Sequence, residues 1–198
     1  MDRTGFFAGD DPIEIARRWL GEAEAGELND PNAMQLATVD EDGLPDVRTV
    51  LLKGVGPDGF VFYTNYESAK GRQIEATGVA AFVLHWKSLR RQVRGRGPVR
   101  RADAAASDAY YASRGIGSRI GAWASPQSKP IADRAALEAL AAEARERLGD
   151  DPERPPHWGG YVIEPSVMEL WADGADRLHD RLQFKRGEDG WEAQRLGP

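Results

Sequence analysis

The segment AMQLATVDEDGLPDVRTVLLKGVGPDGFVFYTN, residues 33–65, decides the fold. It contains three apolar runs, at residues 34–39, 47–53 and 60–64. Asp-Gly turn signals separate these runs, at residues 40–43 and 57–59. An Asp-Gly pair between two apolar runs is the strongest short-range signal for a β-hairpin. The segment therefore predicts an antiparallel meander of three strands.

Strand-like runs continue beyond this segment and are interrupted by helical stretches. The further predicted strands are residues 79–86, 89–99, 160–163, 167–171, 178–185 and 191–196. One helix is predicted to begin after Asp11, with proline at its first position, and others cover residues 68–77, 102–112 and 137–148. About nine short strands with a few helices are typical of a closed or nearly closed antiparallel barrel with helices outside it. The predicted class is mainly β with peripheral helices (α+β).

We expect residues 1–198 to form a single domain. The link at residues 150–156 is polar and proline-rich, but it is too short, with strands on both sides, to separate two cores. Residues 1–10 are expected to be a loose N-terminal arm.

Composition excludes several classes of protein. The chain has 198 residues, 41% of them hydrophobic, and a formal net charge of −6, which argues against a basic nucleic-acid binder and against disorder. It contains no cysteine, so disulfides, thiolate metal sites and cysteine nucleophiles are excluded. We recognise neither a signal peptide nor a membrane-length apolar run, and therefore expect a cytoplasmic protein without nucleic-acid or membrane partners. The three histidines, His85, His157 and His179, are far apart, so no metal site is expected.

The densest group of polar residues is Arg177-Leu178-His179-Asp180-Arg181. An extended backbone would place Arg177, His179 and Arg181 on one face. Three cationic groups side by side repel one another unless an anion lies among them, and Trp171 upstream could add an aromatic wall. The alternative is a solvated edge strand in which Asp180 is the partner of the cations.

A second group brackets a predicted strand. Arg48 and Lys53 enclose an apolar strand centre, and their separation of five residues places them on opposite faces of a regular strand. They could bind two different anions, or one ligand lying across the strand end. The alternative is a pair of surface charges on a half-buried strand.

Two more groups favour phosphate. Tyr63 and Thr64 lead through Ser68 to Lys70 and Arg72, where a predicted helix N-terminus meets cations. Tyr110, Arg114 and Ser118 follow at spacings of four and could converge on a second phosphate. Gln92 and the pair Gln127-Ser128 are neutral hydrogen-bonding groups. Together these groups predict two anionic, phosphorylated ligands beside aromatic walls.

At this point the motifs resemble one family, the pyridoxine/pyridoxamine 5′-phosphate oxidases. The matching motifs occur in the family's order from about Asp11 to the last residue. They are RTVLLK (48–53), FYTN (62–65), RQV (91–93), IGAW (120–123), QS (127–128), WGG (158–160), RLHDR (177–181) and RLGP (195–198). The first and the RLHDR motif are the most specific.

The resemblance implies an FMN-binding split β-barrel, antiparallel and Greek-key-like, that works as a homodimer with sites at the subunit interface. It also implies that residues 160–198 supply dimerisation and substrate-binding strands. The implied reaction is hydride transfer from the C4′ carbon of pyridoxine or pyridoxamine 5′-phosphate to FMN, with reoxidation by O₂ and release of hydrogen peroxide. The product is pyridoxal 5′-phosphate.

The resemblance also implies roles for individual residues. The residues around FMN would be Arg48, Val50, Lys53, Tyr63, Thr64, Lys70, Gln92, Gln127, Ser128, Trp171 and Arg181. The residues that hold the substrate phosphate would be Lys53, Tyr110, Arg114 and Ser118. Arg177 and His179 would lie over the pyridine ring as the catalytic pair.

The chain departs from the family pattern at three places. Ala69 stands where the family has an arginine that contacts the FMN phosphate, and we hypothesise that Arg72, one helical turn on, replaces it. Residues 94–98 contain two glycines and a proline, which predicts a bulge or an edge strand. The N-terminal arm, which the family uses to cover the substrate, is short.

Two other functions stay open from the sequence. One is a different FMN-dependent oxidase of the same fold, such as the phenazine-biosynthesis relative, which lacks the full phosphate-holding set. The other is a non-catalytic protein that binds flavin or pyridoxal phosphate, which Ala69 and the altered strand at residues 94–98 would suit.

Overall fold

The computed structural model describes residues 5–198, and over that range it contains nine strands and five α-helices. The strands are β1 (Ala33–Val39), β2 (Pro45–Gly56), β3 (Gly59–Asn65), β4 (Val79–Trp86), β5 (Arg91–Arg101), β6 (Trp158–Ile163), β7 (Val167–Ala172), β8 (Asp180–Gly187) and β9 (Gly190–Leu196). The helices are α1 (Pro12–Gly26), α2 (Ala69–Thr77), α3 (Ala104–Ala112), α4 (Ile116–Ala124) and α5 (Arg134–Leu148), with 3₁₀ turns at Gly5–Phe7 and Ala175–Arg177. None of the five helices in this range has the length and apolar character that a bilayer-spanning helix requires.

Six antiparallel strands close into a ring in the order β4-β1-β2-β3-β6-β5, with β4 paired to β5. The strands β7, β8 and β9 continue the sheet outward from β5. β5 belongs to both parts, because Arg91–Arg96 pair with β7 whereas Val99–Arg101 pair with β6. The prediction of a mainly β, split antiparallel barrel with helices outside is confirmed.

The meander predicted from residues 33–65 is also confirmed. β1 pairs with β2, and Asp40 Oδ1 closes their turn by accepting hydrogen bonds from the backbone N–H groups of Asp42 and Leu44. β2 then pairs with β3 through a β-bulge, where Leu52 faces Phe62 but Gly54 faces Val61. Lys53 is the extra residue at that bulge, and this shifts the alternation of side chains between the two faces.

One cluster of buried apolar residues joins the ring, α1 and the outer strands. Trp19 of α1, Phe60 of β3 and Phe184 of β8 are each 0% exposed within it. Asp11 caps α1 as predicted, since its side chain accepts from the backbone N–H of Ile13 at 2.8 Å. Burial of one such side chain stabilises the fold by about 1.5–3 kcal/mol. Because turning a strand over would expose its apolar residues, their alternation determines which face of the strand points inward.

The prediction of a loose arm at residues 1–10 is wrong for residues 5–7. Phe7 is buried and its ring lies 5.7 Å from that of Trp19. The carbonyl of Phe6 accepts a hydrogen bond from Trp19 Nε1 at 3.0 Å, and its ring lies 4.1 Å from the Arg91 guanidinium. Contacts of these aromatic side chains therefore fix the turn. No pattern in the sequence indicates it, because so short a segment has no helical or strand periodicity. Residues 1–4 of the predicted arm lie outside the described residues.

The prediction of a bulge or an edge at residues 94–98 is also wrong. β5 runs without a register shift against β4 and pairs on its other side with β7 and β6. A Cβ on Gly95 would lie 2.7 Å from the Phe82 ring, and one on Gly97 would meet the backbone of Glu164. The glycines thus permit close approach to the strand rather than interrupt it.

Candidate active site

A cleft of about 310 Å³ is lined by β2, β3, the start of α2, α3 with the turn that follows it, the segment after α4, and the start of β6. We call it the main cleft. Nine of the predicted site residues line it: Arg48, Val50, Lys53, Tyr63, Thr64, Lys70, Tyr110, Arg114 and Gln127. Thr49, Leu51 and Trp158 line it as well and were not among the predicted site residues.

Arg48 and Lys53 would face opposite sides of a regular strand, but this strand is not regular and both residues line the main cleft. The bulge at Lys53 supplies the reason, since an extra residue reverses the alternation of a strand. Two side chains hold the Arg48 guanidinium. Gln73 Oε1 of α2 accepts a hydrogen bond from Arg48 Nη2 at 3.0 Å, and Asp46 Oδ2 forms an ion pair with the same nitrogen at 2.5 Å. One strand therefore offers two cations to the same space.

The main cleft is positively charged. Arg48, Lys53, Lys70 and Arg114 line it, and none of its described lining residues is Asp or Glu. Burial lowers the pKa of the Lys70 ammonium, the charge of Arg48 lowers it further, and Asp46 offsets part of this. Lowered pKa values on crowded cations mean that an anion bound here would relieve their repulsion.

Arg114 has a buried hydrogen-bond donor without a partner among the described residues. Its Nη1 is buried and has no hydrogen-bond partner within residues 5–198. Its guanidinium lies 4.8 Å from the centre of the Trp158 ring, and burial lowers its pKa. A buried donor without an acceptor costs about 1–3 kcal/mol, more for a charged group, so this arginine is poised for a ligand.

Three parallel aromatic rings form one wall of the main cleft. The rings of Tyr63 and Tyr110 stack with centres 4.0 Å apart and planes 22° apart. The Trp158 ring lies nearly parallel to both, at 13° and 10°. Burial raises the pKa of Tyr63, and Tyr110 adds to this, so the phenol stays neutral. A planar aromatic ligand can pack against the side of such a stack that faces the cleft.

Trp158 was missed as a site residue, although the WGG motif contained the signal. It begins β6 beside β3, and Gly160 two residues later lets the Tyr63 ring approach, since a Cβ there would lie 2.9 Å from that ring. A tryptophan followed by two glycines at a strand start marks such a close approach.

Neutral hydrogen-bonding groups complete the main cleft. Gln127 Oε1 accepts from Lys70 Nζ and from Thr64 Oγ1, both at 3.1 Å. Ser68 caps α2 by accepting from the Gly71 N–H at 3.3 Å, which fixes where Lys70 projects. Ser128 follows Gln127 with a left-handed φ of 66°.

Two further residues of the phosphate groups lie at different places. Ser118 lines an adjoining cavity of about 200 Å³ that shares Arg114, Gln127 and Trp158 with the main cleft. Arg72 is not among the described lining residues of the main cleft, and its Nη1 donates to the Glu67 carbonyl. The hypothesis that it replaces the cation lost at Ala69 stays untested.

Of the five remaining predicted residues, Gln92, Trp171 and Arg181 lie on β5, β7 and β8, and Arg177 and His179 lie in the turn before β8. We call these five residues the second cluster. Gln92, Trp171 and Arg181 are register partners across β5, β7 and β8 and so share one face. The His179 ring lies 4.7 Å from that of Trp171, and its Nδ1 lies 3.1 Å from Asp173 Oδ1.

The prediction of an extended backbone at residues 177–181 is wrong at its start. Asp176 and Arg177 have left-handed φ values of 55° and 63° within a 3₁₀ turn, and the strand begins only at Asp180. The Leu178 N–H donates to the Ala175 carbonyl at 2.9 Å, which closes the turn. The alternative for this segment is a solvated strand in which Asp180 pairs with the neighbouring cations. Asp180 does form an ion pair, but its partner is Arg195 of β9, with Nη1 2.5 Å from Oδ1.

The main cleft and the second cluster are built largely from different strands of the chain. β2 and β5 occupy opposite positions in the six-stranded ring, and β7 and β8 extend from β5. Of the described residues in the second cluster, none lines the main cleft.

Two family models cover most of the chain. Residues 20–148 match the model described as pyridoxamine 5′-phosphate oxidase. Residues 158–198 match the model described as the pyridoxine 5′-phosphate oxidase C-terminal dimerisation region. The second match holds Trp171, Arg177, His179 and Arg181 of the second cluster.

Curated relatives agree over the full length. The chain is 60% identical to pyridoxine/pyridoxamine 5′-phosphate oxidase from Cereibacter sphaeroides, with 100% of both chains covered. It is 65% identical to the enzyme of that name from Paracoccus denitrificans, over 93% of this chain and 86% of the relative.

Solved structures give the same fold. PhzG from Burkholderia lata, in complex with tetrahydrophenazine-1-carboxylic acid, superposes with a TM-score of 0.90 at 34% identity, over 96% of this chain and 94% of that one. A pyridoxamine 5′-phosphate oxidase-related, FMN binding protein from Nostoc punctiforme superposes with a TM-score of 0.76 at 22% identity, over 98% of this chain and 100% of that one. The family models, the full-length relatives and the split barrel lead to one conclusion: this chain belongs to the pyridoxine/pyridoxamine 5′-phosphate oxidase family.

Proposed function

We propose that this chain is an FMN-dependent oxidase that converts pyridoxine or pyridoxamine 5′-phosphate to pyridoxal 5′-phosphate, with O₂ as acceptor and hydrogen peroxide as by-product; with the amine substrate, water is also consumed and ammonia is released. The observation that carries the proposal is the main cleft, where four cations lie beside three stacked aromatic rings and no described lining residue is acidic. Phosphate groups would satisfy the cations, and planar rings would pack in the cleft.

The residues of the main cleft fit FMN, which combines a phosphate with a planar ring system. Arg48 and Lys70 supply positive charge, and Thr64 and Gln127 supply polar groups already oriented by their mutual hydrogen bonds. The full set proposed to surround FMN from this side is Arg48, Val50, Lys53, Tyr63, Thr64, Lys70, Gln127 and Ser128. When bound, FMN would accept the electrons of the substrate as a hydride and pass them to O₂.

Arg114 is the main support for a separate substrate phosphate. Its unpartnered Nη1 offers a charge-assisted hydrogen bond, and Lys53 Nζ lies 6.0 Å from the Tyr110 ring on the same side. We assign the substrate phosphate to Lys53, Tyr110, Arg114 and Ser118. The aromatic wall would then fix the orientation of the pyridine ring relative to FMN.

The site is proposed to be completed by a second copy of the chain. The second cluster lies on β5 and the strands that extend from it and shares no lining residue with the main cleft, and we assign Gln92, Trp171 and Arg181 to an FMN in a partner's cleft. The match of residues 158–198 to a dimerisation region supports this arrangement. Residues 1–198 would then be one domain per subunit, and a single barrel would hold only part of each site.

His179 and Arg177 are proposed to act on the substrate. His179 Nδ1 lies 3.1 Å from Asp173 Oδ1 and accepts a hydrogen bond from the Gly174 N–H at 3.3 Å, and these two contacts fix the orientation of the ring. The imidazole would then exchange a proton with the substrate hydroxyl or amine as the C4′ carbon is oxidised. Arg177, in the turn just before it, would orient the same ring.

The proposal is tested by the visible spectrum of the purified protein and anaerobic addition of pyridoxine 5′-phosphate. A yellow protein that bleaches with substrate and recovers with O₂ is the expected result. A yellow protein that stays oxidised would exclude this substrate. A colourless protein that gains no colour with added FMN would exclude the flavin.

The second candidate is an oxidase of a tricyclic carboxylate, favoured by the superposition on PhzG. Parallel anaerobic additions of a phenazine precursor and of pyridoxamine 5′-phosphate distinguish the two, because the phosphate-holding residues are expected to select the second. A non-catalytic binder would bind FMN and bleach with neither. The cytoplasmic location and the lack of nucleic-acid or membrane partners stay predictions.

A further inference from the structure

Glu169 is a buried carboxylate between two arginines. It lies on β7, and its side chain is 5% exposed. Arg94 is its register partner on β5, and Arg181 reaches it diagonally from β8. All three side chains lie on the face of the sheet that carries Gln92 and Trp171.

Both carboxylate oxygens of Glu169 accept hydrogen bonds from arginine side chains. Oε1 accepts from Arg181 Nε at 2.9 Å, and Oε2 accepts from Arg181 Nη2 at 3.1 Å. Oε2 also accepts from Arg94 Nε at 3.2 Å and Nη2 at 2.6 Å. Burial alone would raise the pKa of Glu169, but the hydrogen bonds from Arg181 and Arg94 outweigh it and the pKa is lowered. The carboxylate is therefore ionised at neutral pH.

This contact fixes the plane of the Arg181 guanidinium. A guanidinium has five N–H donors in a rigid fork, and the two bonds to Glu169 hold one edge of that fork. Arg181 Nη1 also donates to the Gly197 carbonyl at 2.7 Å. Three donors are thus committed to the protein and two stay free for a ligand.

The two arginines differ in their freedom. The Arg94 side chain is 55% exposed and that of Arg181 is 24% exposed. Water can therefore solvate Arg94 whatever Glu169 does, so Arg94 serves mainly to balance charge. Arg181 has fewer alternatives, and its orientation depends on the carboxylate.

The geometry points to Glu169 as a positioning residue that acts through Arg181: it holds the guanidinium so that its free donors face the FMN bound in the partner's cleft. This inference rests on the proposed function. Glu169 touches neither FMN nor substrate in this assignment. It also extends the site to a residue outside the family motifs named above.

A double-mutant cycle on FMN affinity tests this. FMN is titrated into the flavin-free full-length protein and its fluorescence quenching is followed, for wild type, Glu169→Gln, Arg181→Met and the double variant. We expect Glu169→Gln to raise Kd about tenfold in the wild-type background and less than about twofold beside Arg181→Met. Equal effects in the two backgrounds would overturn the inference, because Glu169 would then act independently of Arg181.

Matched variants separate positioning from general damage. Arg94→Gln removes the other partner of Glu169 and is expected to change Kd by less than about threefold. A larger loss there than in Glu169→Gln would overturn the inference.

Arg181→Lys serves if Glu169→Gln does not fold. Lysine keeps the charge but cannot span both carboxylate oxygens, so about tenfold weaker FMN binding is expected and unchanged binding would overturn the inference. A wild-type protein that binds no FMN would instead overturn the proposed function, so the two failures are distinguishable.

Discussion

The main cleft and the second cluster both gather arginines, but they treat the charge differently. In the main cleft Arg114 is buried with an unpartnered Nη1, as far as residues 5–198 provide partners, and no described lining residue is acidic. In the second cluster Arg181 is clamped by Glu169 and the Gly197 carbonyl. The first arrangement leaves a cation ready for an anion. The second arrangement fixes the orientation of the Arg181 guanidinium, and the Glu169 carboxylate already balances its charge within the protein.

Removal of Glu169 is expected to have the largest effect on stability. Glu169→Ala leaves Arg94 and Arg181 facing each other without the carboxylate, and the expected loss in the free energy of unfolding is about 3 kcal/mol. Urea denaturation measures it. The exposed Glu192 on β9 gives the control, and Glu192→Ala is expected to stay within about 0.5 kcal/mol of wild type. A loss below about 1 kcal/mol for Glu169→Ala would contradict the internal balance of charge.

Arg114→Met is expected to lower activity without lowering stability. It removes a charge-assisted hydrogen bond to the substrate phosphate, worth about 1.5–3 kcal/mol, so kcat/KM should fall about 10- to 150-fold. The free energy of unfolding should not fall, because a buried unpartnered donor is removed. Arg100, which pairs with Glu164 and Asp58 away from the main cleft, gives the control variant Arg100→Met. Full activity of Arg114→Met would remove Arg114 from the site.

The second cluster should also be the more sensitive of the two to acid. The folded pKa of Glu169 lies below its ordinary value of 4.5, so the stabilisation is complete above pH 4.5 and is lost as pH falls through the folded pKa. The slope from this group is at most about 1.4 kcal/mol per pH unit. Urea denaturation of wild type and Glu169→Gln across this range should give a shallower acid dependence for the variant. Identical slopes would contradict the assignment.

The smallest effect is expected at Arg72. Its guanidinium is committed to the Glu67 carbonyl, so Arg72→Ala should weaken FMN binding by less than about threefold. Titration of the variant with FMN measures it. A loss of tenfold or more would establish instead that Arg72 replaces the cation missing at Ala69.

Local sequence patterns predicted most of the fold. Asp-Gly turns and alternating apolar residues predicted the meander, and Asp11 and Ser68 marked helix starts that the structure contains. The helix α4 was missed, because Gly117 and Gly121 within it are unfavourable for a helix on their own. Packing against α5 and the aromatic side chains nearby overrides that local preference.

The site was predictable where one strand or helix carried it and unpredictable where distant chain segments meet. Nothing local signals the left-handed φ of Arg177, since a non-glycine residue adopts it only when the surrounding turn imposes it. The glycines at 95 and 97 were read as a weak strand, although their cause is the Phe82 ring and the backbone of Glu164, each far off in sequence. Glu169 has no motif, and only the register of β5, β7 and β8 reveals its role.

The shared use of β5 sets the order in which a growing chain can complete its structure. β3 and β5 are both made early, yet each needs β6 on its free side before the ring can close. A nascent chain that has not yet reached Ile163 therefore carries two unpaired strand edges, which can pair with other chains. Closure of the ring, pairing of β7 and arrival of the second cluster all fall in the last part of synthesis. The proposed contact with a second subunit, which needs Trp171 and Arg181, would thus form only after the barrel has covered its own edges.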